Sequence, residues 1–309
     1  MGEGALVSVI VPSFNQGRYI RETIDSCLQQ DYGRLEVLVV DGASTDETVP
    51  VLESFGDPRL RWRSEPDKGV ADAVNKGLAR AQGDFLTIQS SDDLFRPGAI
   101  SAAAGRLAAN PSLGLVYGDV EYIDAQSRVT GASRISDFSM AEYVGRFSYI
   151  PQPGTVFTRR ALEAVGGWRD AYSYAADADF WMRIAMRFPV GKLDRFVARY
   201  RYHPEQRDTQ RSAIARDWAG AVGDLLATGG LSARERRFAR MGIHLANYRY
   251  APEGAWVLRT RELYAALLAN PVGVLDGRFP RRELLPGRTP IWARLSRMKR
   301  AMGFRPRTS

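Results

Sequence analysis

Short apolar runs alternate with amphipathic stretches over the first 200 residues of the chain. The apolar runs predict four strands, at 7–11, 35–40, 59–63 and 85–88. Apolar residues at helical spacing predict intervening helices at 19–30, around Val49 and Leu52, and at 70–81. Strands and helices that alternate in this way favour right-handed crossovers and a largely parallel sheet. We therefore predict an α/β fold whose polar loops share one edge of the sheet.

The later part of the chain follows a looser pattern and then becomes helical. It predicts strands at 113–117, 155–158 and 193–200, and helices at 98–109, 159–165 and 177–188. From about residue 206 helical stripes dominate, as in the spacing of Phe238, Met241 and Leu245. The pattern therefore predicts an α/β domain over 1–205 and a helical C-terminal region over 206–309.

The composition is that of an ordinary globular chain, with 45% hydrophobic and 25% charged residues among 309. The single cysteine, Cys27, excludes an internal disulfide and a multi-cysteine metal site, and it fits a reducing compartment. The N-terminus lacks a basic segment, and no apolar run approaches the roughly 18 residues of a membrane span. We expect a cytoplasmic protein with neither a signal peptide nor a transmembrane helix.

Positive charge is concentrated in the last 32 residues. Residues 278–309 hold ten lysines and arginines and the single acid Glu283, whereas the whole chain has a net charge of +8. Apolar residues such as Trp292 and Leu295 recur between the basic ones at helical spacing, which suits a helix on an anionic membrane surface at the inner face of the membrane. A basic helix docked on the rest of the chain would show the same pattern. No nucleic-acid recognition motif accompanies it, so we expect no nucleic-acid partner.

The stretch 83–95, GDFLTIQSSDDLF, joins a strand to an acidic turn. Asp92 and Asp93 follow the end of that strand. Ligands of an open α/β sheet bind at the carboxyl ends of the strands, and two carboxylates there suit a hard divalent cation that carries a phosphate. The alternative is that these acids cap the helix that begins near Gly98.

Six stretches, taken together and in order, resemble the family 2 glycosyltransferases of the GT-A fold. They are VSVIVPSFN at 7–15, VVDGASTD at 39–46, SEPDKGVADAVNKG at 64–77, GDFLTIQSSDD at 83–93, PQPGTVFTRRALEAVGGW at 151–168 and ADADFWMR at 176–183. The resemblance covers about the first 205 residues. It implies a Rossmann-like sheet with helices on both faces and an inverting transfer of one sugar from a nucleotide-sugar, with UDP as the first choice, to a glycan or lipid-linked acceptor.

The resemblance also implies which residues bind the donor. They are Pro12, Ser13, Asn15, Asp41, Asp67, Lys68, Asp72, Asn75, Gly77, Ser91 and Asp92. Asp41 would accept a hydrogen bond from the uracil ring, and Lys68 would approach the diphosphate. Each position also suits an ordinary turn, a helix cap or a solvated helix face.

Metal, base and acceptor residues follow from the same resemblance. Asp92 would hold Mg²⁺ or Mn²⁺ with help from Asp93 and His203, although Ser90 stands where the family usually has an acid or asparagine. Asp177 would be the general base, with Ala176 where the family usually has glutamate. Asp179 is the fallback base, because the two side chains point about 200° apart on a helix. The implied acceptor-side residues are Gln152, Trp168, Tyr174 and Asp179.

Two other functions stay open at this point. A sugar nucleotidyltransferase would need a glycine-rich, basic loop after the first strand, and residues 14–17 do not form one. A catalytically silent scaffold of glycosyltransferase descent is suggested by Ser90 and Ala176. Release of UDP, release of pyrophosphate or the absence of turnover would separate the three.

Overall fold

The structure is a computed structural model that describes residues 4–146, 150–204, 206, 210–252 and 254–271. The chain divides into two compact units. Unit 1 comprises Met1–Phe138 and Tyr149–Thr209, and unit 2 comprises Ser139–Ser148 and Gln210–Ser309. Unit 2 therefore takes a short internal segment in addition to the C-terminal third of the chain.

Within the described residues, unit 1 contains one mixed sheet of nine strands. The strands are β1 (Val7–Ser13), β2 (Leu35–Asp41), β3 (Leu60–Ser64), β4 (Phe85–Ile88), β5 (Leu94–Phe95), β6 (Leu115–Ile123), β7 (Val129–Ser133), β8 (Val156–Thr158) and β9 (Val190–Arg201). Their order is β3-β2-β1-β4-β8-β6-β9-β5, and β7 pairs with β6.

The helices of the described residues separate between the two units. Unit 1 holds α1 (Ile20–Leu28), α2 (Thr48–Glu53), α3 (Val70–Arg80), α4 (Ala99–Ala109), α6 (Arg159–Val165) and α7 (Ala176–Ala185). Unit 2 holds α5 (Met140–Arg146), α8 (Arg211–Ala227), α9 (Ala233–Tyr250) and α10 (Trp256–Ala269). The predicted α/β class with a helical C-terminal region is confirmed.

The first half of the sheet has the predicted parallel arrangement. Strand β1 is parallel to both β2 and β4, and its last residue, Ser13, lies beside Asp41 at the end of β2. Every residue of β1 and β2 is buried, so both faces of these strands are covered. On one face α3 lies directly against β1, because a Cβ atom on Gly77 would overlap the side chain of Ile10.

The prediction of a largely parallel sheet is wrong for the second half. Strand β8 is antiparallel to both of its neighbours, β4 and β6, and β5 is antiparallel to β9. Apolar runs carry no information on which strands will be neighbours, so the pattern could not show these reversals. The antiparallel pair β5 and β9 has a direct consequence for the site, since it brings the acidic turn before β5 beside the end of β9.

Unit 2 is a group of helices with close contacts between α5 and α9. A Cβ atom on Gly242 of α9 would overlap the carbonyl oxygen of Val144 in α5. Helix α9 begins with a capping box formed by Ser232 and Glu235. The rings of Tyr143 and Trp218 lie 5.6 Å apart, which adds α8 to the same core. No helix among the described residues is both long and apolar enough to span a bilayer.

Candidate active site

The loops after β1 and β2 form one continuous surface at the carboxyl edge of the sheet. The backbone N–H of Asn15 donates to Ser44 Oγ at 2.7 Å, and Asn15 Oδ1 accepts from the N–H of Thr45 at 2.9 Å. Asn15 has a φ of +52°, a left-handed conformation that asparagine tolerates. A further bond, from the Gly17 N–H to Asp46 Oδ2 at 2.9 Å, fixes the same two loops to each other.

Asp41 is fully buried where β2 ends and is already well supplied with hydrogen bonds. Its carboxylate accepts from the backbone N–H of Ser44 at 2.9 Å, from Ser64 Oγ at 2.7 Å and from Ser44 Oγ. Asp67 lies close by, since a Cβ atom on Gly42 would be 2.5 Å from its Oδ2. The sheet edge therefore brings Asp41 and Asp67 together, as the resemblance implies.

Pro12 and Ser13 lie between these loops, at the end of β1. Both residues are buried, and the Ser13 carbonyl accepts from the N–H of Gly42 at 2.8 Å. The Ser13 hydroxyl is buried and has no hydrogen-bond partner among the described residues. A buried hydroxyl without a partner is costly, so this oxygen is suited to meet a ligand.

Several residues of the third stretch, 64–77, have partners within the protein. Asn75 bonds the backbone of Trp168 in both directions, with its Nδ2 donating and its Oδ1 accepting at 2.9 Å. Asp72 accepts from the N–H of Lys68 at 3.1 Å and pairs with Lys76 at 3.0 Å, which holds its pKa below the usual value. Gly77 packs on β1, as described above. Lys68, in contrast, is exposed at the sheet edge.

Asp92 and His203 meet across the acidic turn. Asp92 Oδ2 lies 3.0 Å from His203 Nε2, although 111 residues separate them along the chain. The other ring nitrogen, Nδ1, is buried and has no partner among the described residues. Asp93 is turned into the protein: it is 1% exposed, and its Oδ1 accepts from the backbone N–H of Arg201 at 2.8 Å.

The residues before Asp92 are also fixed. Ser90 Oγ donates to Gln152 Oε1 at 2.9 Å, and Gln152 Nε2 donates to the carbonyl of Ile88 at 2.8 Å. Gln152, expected on the acceptor side, thus joins the loop before β8 to the end of β4. Ser91 is buried within the turn.

A divalent cation fits this corner as a site with two protein ligands. Among the described residues, histidine, cysteine, aspartate and glutamate side chains form no group of three or more that could hold a metal. Magnesium-type ions are commonly held by one or two protein groups together with substrate phosphates. The carboxylate of Asp92 and the imidazole of His203 are chemically suited to that mode, since the pair meets at the sheet edge and Nδ1 is not committed to another partner among the residues that the structure describes.

The two aspartates of α7 have different surroundings. Asp179 is 1% exposed and pairs with Arg183, from Nε to Oδ2 at 2.9 Å, and with Arg169, from Nε to Oδ2 at 3.0 Å. Burial lowers the pKa of Arg183, and the charge of Asp179 opposes that shift. Asp177 is half-buried in the first turn. The N-cap position belongs to Ala175, so neither aspartate is the N-cap residue.

Trp168 and Tyr174 lie in the segment that leads to α7. Trp168 is buried, and its Nε1 has no hydrogen-bond partner among the described residues. Tyr174 is half-buried immediately before the helix. Both are therefore close in sequence to Asp177, at the end of α7 that carries the proposed base.

The sequence gave no signal for Arg201, which the structure places at the centre of this corner. It is the last residue of β9, it is 0% exposed, and its Nε donates to the carbonyl of Asp92 at 2.7 Å. A buried arginine inside an apolar strand pattern could have drawn attention, because such a charge is rarely buried without partners. Its partners, however, come from segments far away in the sequence.

A mixed sheet with a parallel first half, linked loops after β1 and β2, and an Asp–His pair at the same edge define a GT-A glycosyltransferase fold. The family model described as "Glycosyl transferase family 2" matches residues 8–172. This chain belongs to that family and is a glycosyltransferase.

Relatives of known sequence agree with the assignment. An uncharacterized glycosyltransferase of Mycobacterium tuberculosis is 28% identical over 270 residues, which cover 86% of this chain and 94% of the relative. Chondroitin synthase of Escherichia coli is 25% identical over 215 residues, 69% of this chain but 31% of that enzyme.

Solved structures show the same fold. TarS of S. aureus, residues 1–349 in complex with UDP-GlcNAc, superimposes with a TM-score of 0.68 at 17% identity and covers 98% of this chain and 94% of that one. The mannosyltransferase PcManGT of Pyrobaculum calidifontis, in complex with GDP-Man and Mn²⁺, gives 0.63 at 22% identity and covers 98% and 89%.

Proposed function

We propose that this glycosyltransferase moves one sugar from a nucleotide-sugar, with inversion and with metal assistance, to a hydroxyl of a glycan or lipid-linked acceptor. The observation that carries the proposal is the Asp92–His203 contact of 3.0 Å at the edge where the loops after β1 and β2 also meet. Chondroitin synthase, TarS and PcManGT support the substrate classes by their names and bound donors. UDP is the first choice of nucleotide because Asp41 corresponds to the family's uracil-binding acid.

Donor binding uses the linked loops. The buried Ser13 hydroxyl and the carboxylate of Asp41 flank one edge of the sheet, and Lys68 is exposed on the neighbouring turn. An ammonium group suits a diphosphate, which it approaches as a point charge. Asp92 and His203 would hold Mg²⁺ or Mn²⁺, which neutralises the diphosphate as it leaves.

Asp177 is the proposed general base. Its carboxylate accepts the proton of the acceptor hydroxyl while that oxygen forms a bond to the anomeric carbon. The bond from the anomeric carbon to the diphosphate oxygen breaks on the opposite face, and its electron pair stays with the departing nucleotide. This in-line geometry inverts the configuration at the anomeric carbon. Asp179 is a poor alternative because two arginines already occupy its carboxylate.

Substitution of Asp177 by asparagine tests the base. Asp177→Asn keeps the size of the side chain and removes its proton acceptor. Transfer to a competent acceptor should fall by about 10²–10⁴-fold, while UDP and metal affinity stay near those of the wild type. Steady-state transfer assays and calorimetry on the same preparations measure both quantities. Transfer close to the wild-type rate would exclude Asp177 as the base.

Asp179→Asn is the matched control on the same helix. It removes the charge that pairs with Arg169 and Arg183, so it should lower the melting temperature more than Asp177→Asn does. Per folded molecule, transfer should be affected less. A selective loss of transfer in Asp179→Asn, with stability intact, would move the base two residues along the chain.

A catalytically silent scaffold is the second candidate. It is favoured by Ser90, whose hydroxyl is engaged by Gln152, and by Ala176 at the position before the proposed base. The two candidates differ in donor turnover. Slow UDP release from a UDP-sugar without acceptor supports the enzyme, whereas UDP binding with no release from any donor supports the scaffold. Membership of the family disfavours the sugar nucleotidyltransferase.

For location, we propose a cytoplasmic protein that associates peripherally with the inner face of the membrane. The support is the basic, amphipathic sequence of 278–309, which lies outside the described residues. Such a location would bring the site to a lipid-linked acceptor.

A further inference from the structure

Arg201 connects three separate segments of unit 1 through its buried side chain. Its Nε donates to the carbonyl of Asp92 at 2.7 Å, and its Nη1 donates to the carbonyl of Asp124 at 3.1 Å and to Ser127 Oγ at 2.8 Å. Its Nη2 donates to Glu22 Oε2 at 2.7 Å. One guanidinium thus joins the acidic turn, the turn between β6 and β7, and helix α1.

The main chain of Arg201 holds the same corner. Its N–H donates to Asp93 Oδ1 at 2.8 Å, and the next residue, Tyr202, donates its N–H to the carbonyl of Ile123 at 2.8 Å. His203 follows directly, with its Nε2 next to Asp92. Arg201 therefore restrains the backbone on both sides of the Asp92–His203 contact, from the turn and from the strand end.

Packing alone would not need a charge here. A buried guanidinium is costly to desolvate, and an apolar side chain of similar volume is often at least as stabilising. The side chain of Glu22, the partner acid, is 52% exposed, so its attraction is weakened by solvent. What the guanidinium offers is a rigid planar fork that reaches several acceptors at once, which lysine cannot reproduce.

An aromatic ring completes the arrangement. The guanidinium lies 4.7 Å from the ring centroid of Tyr19, and that ring lies 4.9 Å from the imidazole of His203. Tyr19 therefore contacts both the cation and the histidine. Movement of Arg201 would be transmitted to His203 through this ring as well as through the backbone.

We propose that Arg201 is a positioning residue for Asp92 and His203, and that Glu22 and Ser127 hold its guanidinium in place. The inference rests on the proposed function, because it takes Asp92 and His203 as the metal-binding pair. Groups that orient metal ligands typically change metal affinity or activity by about 10–100-fold when they are altered. Arg201 would act in this way through the carbonyl of Asp92 and the backbone that leads to His203.

The test is Mn²⁺ binding by the full chain in the presence of UDP, followed by electron paramagnetic resonance. Arg201→Lys keeps the charge and loses the fork, so Mn²⁺ affinity should fall by about 10–100-fold. UDP affinity without metal should be unchanged, because the loops after β1 and β2 are untouched. Glu22→Gln is the second variant, and since its side chain is half exposed the fold should tolerate it. It should weaken Mn²⁺ binding in the same direction by a smaller factor.

Arg159→Lys is the matched control. Arg159 also binds backbone carbonyls, with Nε donating to Gly83 and Nη2 donating to Ala81 at 2.8 Å, but at the opposite end of β4 from the acidic turn. It should lower the melting temperature and leave Mn²⁺ affinity unchanged.

Wild-type Mn²⁺ affinity in both Arg201→Lys and Glu22→Gln would overturn the inference, and if Arg201→Lys does not fold, Glu22→Gln alone decides. An equal loss of Mn²⁺ affinity in Arg159→Lys would also overturn it, since that would indicate general destabilisation. Wild-type protein that binds UDP but no Mn²⁺ would overturn this inference and leave donor binding standing. Wild-type protein that binds neither would overturn the proposed function, and the inference with it.

Discussion

Asp41 shows how one side chain can serve the fold and be available to a ligand. It is buried at the end of β2, and two serines donate hydrogen bonds to it. Those bonds fix the loop that follows, and a carboxylate has about four lone-pair positions. The proposed contact with a nucleotide base therefore does not require the loop to give up its own hydrogen bonds.

Removal of this carboxylate should weaken nucleotide binding. Asp41→Ala is expected to reduce UDP affinity by about 1.5–3 kcal/mol, the scale of a hydrogen bond to a charged group. Ser64→Ala is the control, because it removes one of the protein partners of Asp41 and leaves the carboxylate in place. Titration calorimetry with UDP compares the two variants. Equal UDP affinity in wild type and Asp41→Ala would remove Asp41 from the nucleotide site.

Other residues that the resemblance places at the site have contacts that the fold itself needs. Asn75 holds the backbone of Trp168, and Gly77 allows α3 to approach β1. Asp179 neutralises two arginines. A sequence match to a family can therefore reflect packing and ligand binding at once, and substitution at these positions should affect stability whether or not a ligand is bound.

At the scale of helices, the contact between α5 and α9 depends on the absence of side chains. A Cβ atom on Gly242 would overlap the backbone carbonyl oxygen of Val144, and backbone cannot move aside as a side chain can. Gly223, in the middle of α8, has no heavy atom within 4 Å of an added Cβ. These two helical glycines of unit 2 thus differ in their surroundings and not in their secondary structure.

The two glycines should respond to alanine with opposite signs. Gly242→Ala is expected to lower the free energy of unfolding by about 1–3 kcal/mol, because the two helices must move apart. Gly223→Ala should raise it by about 0.4–1 kcal/mol through the higher helix propensity and lower unfolded-state entropy of alanine. Urea unfolding followed by circular dichroism measures both. A neutral Gly242→Ala would mean that α5 and α9 are farther apart than the structure shows.

At the scale of the whole molecule, charge is distributed unevenly along the chain. The net charge of +8 is accounted for by the last 32 residues, where ten basic residues face one acid. Such a segment adds attraction to anionic lipid of about 1 kcal/mol for each basic residue near the surface. The proposed site, in contrast, lies within the first 203 residues, so membrane binding and catalysis should be separable.

Truncation before Arg278 tests this separation. The shortened protein should lose co-sedimentation with anionic vesicles at low salt and should keep donor hydrolysis at the wild-type rate. Neutral vesicles and added salt are the controls, since screening weakens the attraction between exposed charges and the surface. Full-length protein that does not sediment with anionic vesicles would favour the alternative of a basic helix docked on the chain.

The sequence by itself determined the local elements and the family. Strand β4 and helix α6 have the bounds that their patterns predict, and β1 and β2 differ from them by one or two residues. This success has a local cause: periods of 2 and 3.6 residues are properties of neighbouring positions. The two-residue strand β5 was missed because it is too short to show a period.

Only the tertiary structure decided how distant residues meet. The contact between Asp92 and His203 spans 111 residues, and the contact between Arg201 and Glu22 spans 179. Both depend on the antiparallel pairing of β5 with β9 and on the order of the strands in the sheet. Periodicity within a strand does not specify which strand will lie beside it, because that choice is made by packing of the whole sheet. For this reason the sequence pointed to Asp92 and His203 as family matches, while Arg201 became visible only in the folded chain.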